Sequence, residues 1–225
     1  LKEINQLVKE TVALNDKIIF TRALGEGSKA LEDQLDLVLE QLSELIDIKV
    51  YRKDNGSVEI TAGGRLLVQD RYHYPLDLLE VEGRLMLVSS REIPLEFDSG
   101  RVKGLMDAVN QIIPDLQEEL NGIVTVLVRE VNSLHVSAFG LNGEDGQNFF
   151  EPIHDSGLPP CLQFKLAAGI AEDIGAIAAA SRPGEPGNGE AALALARLRD
   201  RKDDSGVTLS DRYRGIISSL GVEGR

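Results

Sequence analysis

Ile4, Leu7, Thr11, Leu14 and Ile18 recur every three or four positions, with Lys, Glu, Asn and Asp between them. That spacing predicts one face of an amphipathic helix from Leu1 to about Phe20. The GEGS stretch at Gly25–Ser28 interrupts it, and Leu31, Leu35, Val38, Leu42 and Leu45 mark a second helix from about Ala30 to Ile46. A short glycine-containing connection sets two such helices antiparallel. The period then falls to two. Ile48 and Val50 alternate before Asn55-Gly56, a pair that tolerates positive φ and signals a tight hairpin, and Val58 and Ile60 continue beyond it. Gly63-Gly64 predicts another turn and Leu66–Val68 a third strand, while DLLEVEGRLMLVSS predicts a further hairpin turning near Glu82-Gly83.

From Val102 to Phe139 the helical period returns. Leu105, Val109, Ile112, Leu116, Leu120, Ile123, Leu127, Val131 and Leu134 are separated by 4, 3, 4, 4, 3, 4, 4 and 3 residues. Three positions per 11 residues keep one stripe on a nearly straight helix, about 55 Å long if unbroken. The stripe from Leu116 to Val131 is expected in the core, against the N-terminal helices and the C-terminal helix. Pro114 lacks an N–H and crowds the preceding turn, so a kink or restart is expected near Ile113. Beyond it lies a glycine-punctuated loop, FGLNGEDGQNFF, anchored by Phe149 and Phe150. Cys161–Leu166 is expected to be a short strand or extended segment, EDIGAIAAAS a short helix, and Arg182–Glu190 a linker. Asn188 is placed to cap a helix from Ala191 to about Arg199, and Leu209, Tyr213, Ile216 and Leu220 mark a terminal helix.

Composition narrows the chemistry. A net charge of −13 opposes a nucleic-acid or anionic-membrane partner, and the local basic patches are short, such as Arg197, Arg199, Arg201 and Lys202. No apolar run is long enough to cross a bilayer as a helix. Cys161 is the single cysteine, and His73, His135 and His154 have no ligand spacing, so neither an internal disulfide nor a multi-cysteine zinc site is available. No cofactor and no metal are expected. Asn142, Glu144 and Asp145 do not supply the ligand spacing of a calcium loop. The carboxylates Glu32, Asp33, Asp36, Glu40 and Glu44 suit a solvated helix face. AGGR lacks the strand and helix context of a phosphate loop. A hydrolase using His135, or His154 with Asp155, has no serine or cysteine nucleophile in a recognisable setting.

The block VNSLHVSAFGLNGEDGQNFF resembles the signature of the flagellar hook-associated protein 1 family. Asn132, His135, Phe139, Asn142, Gly143, Gly146, Phe149 and Phe150 match it position by position. ALNDKI followed by LEDQLDLVLEQLSELIDIKV, and later IAAASRPGEPGNGEAALALARL and TLSDRYRGIISSLG, are similar to further family blocks in the same order. Leu35 stands where the family commonly has Arg, Ala138 where Gly is frequent, and Gly140 where Asp is frequent. The Phe150–Cys161 passage is too short for the β domain inserted in larger members.

The residue pattern and the resemblance together predict an α+β fold: an elongated, mainly helical, rod-like bundle of long antiparallel helices with a small antiparallel β region of hairpins. The expected organisation is one hook-associated core with a helical hairpin at 1–47, the β region at 48–98, a long helix at 101–139, and the glycine-rich loop and returning helices at 140–225. The resemblance implies a non-enzymatic axial protein, exported through the flagellar type III apparatus and joining hook to filament outside the cell. Its partners would be neighbouring axial proteins, further copies of itself in the lattice, and an export chaperone in the full-length protein. The resemblance also implies a core fragment without the terminal polymerising segments, monomeric when isolated. The alternative is a surface-exposed adhesion module, with Tyr72, His73 and Tyr74 as its recognition feature.

Overall fold

A computed structural model describes residues 1–223 except Pro186 and Asp204. The chain divides into two compact units, Leu1–Ile113 and Pro114–Arg225.

In the first unit, α1 (Lys2–Ala23) and α2 (Lys29–Leu45) form a helical hairpin. Their apolar stripes meet: Ile4, Val8 and Ile18 from α1 and Leu35 and Leu42 from α2 are almost fully buried. Leu35 therefore sits in the core, where an arginine would have to bury its charge. Strands β1 (Ile48–Arg52), β2 (Val58–Ala62), β3 (Arg65–Gln69) and β4 (Tyr72–His73) make one antiparallel sheet in that order. The register pairs Val50 with Ile60, and a bulge lies between Ile60 and Thr61. Strands β5 (Leu76–Val81) and β6 (Arg84–Ser89) form a separate hairpin, turning through Glu82 and Gly83 at positive φ. Alternation is clean in β2, where Val58, Ile60 and Ala62 enter the core.

Arg22 ties these parts together. Its Nε donates to Ser28 Oγ, Nη2 to Glu32 and Nη1 to the Asp54 carbonyl. Gly56, at φ +87°, lies under that guanidinium, so a Cβ there would meet Arg22 Cζ at 2.6 Å. Two asparagines inside α1 act as backbone surrogates. Asn15 Nδ2 donates to the Val58 carbonyl (2.8 Å) while its Oδ1 accepts from Val58 N–H (2.9 Å). Asn5 makes the same pair of bonds with Leu76, at 2.8 and 2.9 Å.

The helical stretch after Gly100 comprises α3 (Arg101–Asp107), a π-helical turn (Ala108–Ile112) and α4 (Ile113–Val136). The break falls at the turn before Pro114. Proline has no N–H for the Asn110 carbonyl, and Ile113 N–H reaches back to Ala108 instead. The expected core stripe is shallower than the pattern suggested. Leu116, Leu120, Ile123, Leu127 and Val131 are half-buried, Leu105 and Val109 are exposed, and on α4 only Val128 and His135 are fully buried.

In the second unit, α5 (Pro160–Gln163) replaces the extended segment expected at Cys161–Leu166. Pro160 opens it, and Cys161 N–H donates to Asn121 Oδ1. Cys161 is half-buried. The predicted alanine helix is also displaced. Helix α6 (Ala168–Glu172) ends earlier, and Ala179 and Ala180 instead pair with the Phe139 backbone. Within the Arg182–Glu190 linker, Pro186 lies outside the described residues. Gly189 occupies the N-cap position of α7 (Glu190–Arg197), and Asn188 Oδ1 accepts from Glu190 N–H. Thr208 caps α8 (Leu209–Glu223) reciprocally, accepting from Asp211 N–H and donating to its carboxylate. Asp203 folds the loop before it, accepting from Ser205, from Val207 N–H and from Arg212.

Two outcomes follow. Replacing Asn15 with Ala removes both bonds to a fully buried backbone pair and is expected to lower stability by about 2–4 kcal/mol, read by denaturant unfolding. The Ser205 hydroxyl, then Arg212 and Val207 N–H, hold the Asp203 carboxyl well below its ordinary value of 3.8. A depressed folded value means the loop tie is complete above the ordinary value and lost as pH falls below it. Val207 amide exchange should therefore stay protected at neutral pH and rise only in strong acid.

Candidate functional site

Asn132 and His135 are three residues apart, which places them on one face of α4 near its C-terminal end. Asn132 clamps Phe150 in the same way that Asn15 clamps Val58: Nδ2 donates to the carbonyl at 2.8 Å and Oδ1 accepts the N–H at 2.9 Å. His135 is completely buried. Its Nδ1 lies 2.6 Å from the Gln147 carbonyl, and Nε2 accepts from Ala178 N–H at 2.8 Å. A carbonyl only accepts and an amide N–H only donates, so the two partners fix the Nδ1–H tautomer. Both ring nitrogens are committed to backbone, leaving neither for proton transfer to a substrate.

The loop between them is bound to the same point. Phe139 N–H donates to the Ala180 carbonyl, and its own carbonyl accepts from Ala179 and Ala180. Asn142 Oδ1 accepts from Glu144 N–H, closing a side-chain turn in which Gly143 adopts φ +79°. Gly146 passes so close to the end of α4 that a Cβ would stand 1.8 Å from the His135 carbonyl oxygen. Phe149 packs edge-on to the His135 ring, with centroids 5.3 Å apart, and Phe150 packs edge-on to Phe149 at 4.9 Å. Phe164 extends the aromatic row, 4.7 Å from Phe150.

Asn132, His135, Phe139, Gly146, Phe149 and Phe150 thus meet in one hydrogen-bonded and aromatic knot that folds the loop onto α4, while Asn142 and Gly143 shape a turn within that loop. The sequence did not point to Gln147, Ala178 or Phe164. The first two act through backbone atoms, which leave no side-chain pattern. A domain profile described as the flagellar hook-associated protein FlgK helical domain matches residues 1–150, two thirds of the chain. The chain belongs to the FlgK family. It is 24% identical to flagellar hook-associated protein 1 of Bacillus subtilis (strain 168) over 259 aligned positions, which cover 98% of this chain and 51% of that protein. Against flagellar hook-associated protein 1 of Escherichia coli (strain K12) it is 26% identical over 164 positions, 66% of this chain and 29% of that one. The chain therefore spans about half the length of the first relative and under a third of the second. Among solved structures, the flagellar hook junction protein FlgK from Burkholderia pseudomallei superposes with a TM-score of 0.51 at 21% identity. The superposition covers 67% of this chain and 29% of that one and shows a shared fold.

The other candidate residues take no part in the described hydrogen bonds and aromatic contacts of the FlgK-family knot. His154 is exposed and its backbone N–H is held by Gln163. Tyr72 is 69% exposed at the end of the sheet. The surface beside Gly63 and Gly64 is lined by Asp47, Glu96 and Asp98 with Lys49, a wall unsuited to an anion. Replacing His135 with Leu keeps the volume but orphans a carbonyl and an N–H; the expected cost is about 2–5 kcal/mol. Amide exchange at Ala178 should report it directly, and Gly146→Ala should loosen the same amides.

Proposed function

We propose that this chain is part of a structural axial protein of the bacterial flagellum that links hook to filament, with no catalytic role. The observation that carries this reading is the FlgK helical-domain match over residues 1–150, which includes the stretch from Asn132 to Phe150 but not its partners Phe164 and Ala178–Ala180. The commitment of both His135 nitrogens to backbone supports a structural assignment for the most buried titratable ring in the second unit.

In this reading the protein leaves the cell through the flagellar type III apparatus, with an export chaperone serving the full-length form. It then stands outside the cell, against neighbouring axial proteins and further copies of itself. The eight signature residues act as architecture, fixing the end of α4 so that surfaces on either side keep a constant geometry from copy to copy.

Gold-labelled antibody against the chain should mark the hook–filament junction in electron micrographs, and cells lacking the gene should shed filaments and lose swimming. Label distributed along the cell body, with motility intact in the deletion strain, would overturn the reading. Taken alone, the chain carries a net charge of −13 and should sediment as a monomer at micromolar concentration. A stable closed dimer there would favour an ordinary soluble homodimer over a lattice subunit.

A further inference from the structure

The basic run at Arg197–Lys202 has no part in the knot, yet the fold gives it a definite setting. A groove of about 320 Å³ in the second unit has a floor of Val126, Leu198, Val207 and Leu209. Its described rim carries Arg129, Arg201, Lys202 and Arg212 against only two carboxylates, Glu130 and Asp203. Both carboxylates are occupied by the groove itself. Glu130 receives Arg129 at 3.0 Å and Arg201 at 2.6 Å through its two oxygens. Asp203 is consumed by Ser205, Val207 and Arg212. Among the described residues each arginine keeps N–H donors without a partner, and each side chain is at least half exposed. A net cationic rim on a chain of charge −13 is a place where this otherwise acidic surface can meet another of its kind.

The complementary shape is present on the chain as well. The outward face of α2 carries Leu37, 60% exposed, followed by the exposed carboxylates Glu40 and Glu44 at i+3 and i+7. Among the described residues neither Glu40 nor Glu44 has a cation within salt-bridge distance, whereas Glu32, Asp33 and Asp36 are paired with Arg22, Lys29 and Arg52. An exposed leucine flanked by free carboxylates matches an apolar floor with a cationic rim.

We propose that the groove lined by Val126, Leu209, Arg201 and Lys202 docks the Leu37–Glu44 face of α2 from a neighbouring copy of the chain. The contact joins two unlike surfaces, so it does not close on itself in a pair; repeated, it generates an open array rather than a dimer. This rests on the axial reading above and names one of the contacts that such a lattice would use. It is weak for a single pair and gains strength only through repetition.

The test uses the whole chain at about 1 mM in ~20 mM salt, where surface charges are screened least. Sedimentation equilibrium should show weak, open-ended association that disappears at ~300 mM salt. Lys202→Glu and Glu40→Lys are surface changes that should leave the melting curve unchanged, and each should weaken association about tenfold. Mixing the two variants should restore it, because each then offers the surface that suits the other. Zero-length carbodiimide cross-linking of mixed ¹⁴N and ¹⁵N chains should join Lys202 to Glu40 or Glu44 between copies. No salt-dependent association, variants without effect, a mixture that does not recover, or binding of a heparin oligosaccharide at the groove without self-association would each overturn the proposal. Any of these with the protein still labelled at the hook–filament junction would remove this contact and leave the axial reading standing.

Discussion

A strand edge carries backbone N–H and C=O groups that need partners, while a helix has already spent its own backbone on itself, so joining the two tightly requires a side chain that imitates backbone. Four asparagines supply that here. Asn5, Asn15, Asn110 and Asn132 each give one N–H to a carbonyl and accept one N–H from the same residue, Leu76, Val58, Leu85 and Phe150 respectively. Each amide thereby presents the donor and acceptor that a neighbouring strand would have offered. Asparagine is a poor residue for a helix interior, because its short polar group competes with the helix's own bonds. Its presence there is explained by what it holds. Loss of one amide leaves two backbone groups without partners, so the clamps fix where β2, β5, β6 and the loop after α4 begin or return.

The sequence revealed most where periodicity and turn chemistry speak alone. The α+β class, the helical hairpin and the turns at Asn55-Gly56 and Glu82-Gly83 follow from spacing and from the glycines Gly56 and Gly83, which take positive φ. It revealed less where backbone partners decide. Ala178–Ala180 has the composition of a helix, yet Phe139 draws it into an extended pairing that no local propensity encodes. The regular stripe along α4 suggested deep burial, but period reports only which residues share a face, not how thickly that face is covered. Of the knot, the asparagine, histidine, glycine and phenylalanine positions were visible as a block. The bonds from His135 to Gln147 and Ala178 were not, because both partners contribute main-chain atoms.

The two units hold themselves together by different means. The first buries large aliphatic side chains from both helices and the sheet in one continuous core. The buried cluster of the second consists of Ala138, Ala178 and Ala191, residues small enough to bring backbones into direct bonding distance. Beside that cluster, directional bonds gather around the end of α4, the aromatic row runs from His135 to Phe164, and Val128, Ile170, Leu198 and Ile216 are buried singly.

That division has a consequence for the surface. The second unit buries Val128, Ile170, Leu198 and Ile216, yet it also leaves some of its largest aliphatic side chains outside. Leu141 is 85% exposed and Ile174 82% exposed, and Leu141 N–H donates to the carbonyl of Gly175, the residue after Ile174. Both are carried on turns closed by their own hydrogen bonds, through Asn142 in one and Asp173 in the other. A leucine on a floppy loop would lose conformational entropy on every contact, whereas one on a closed turn has already lost most of it in folding. Rigid apolar projections of this kind suit a protein proposed to meet the same neighbours in a repeating lattice. There, each contact is small and the geometry must be identical from one copy to the next.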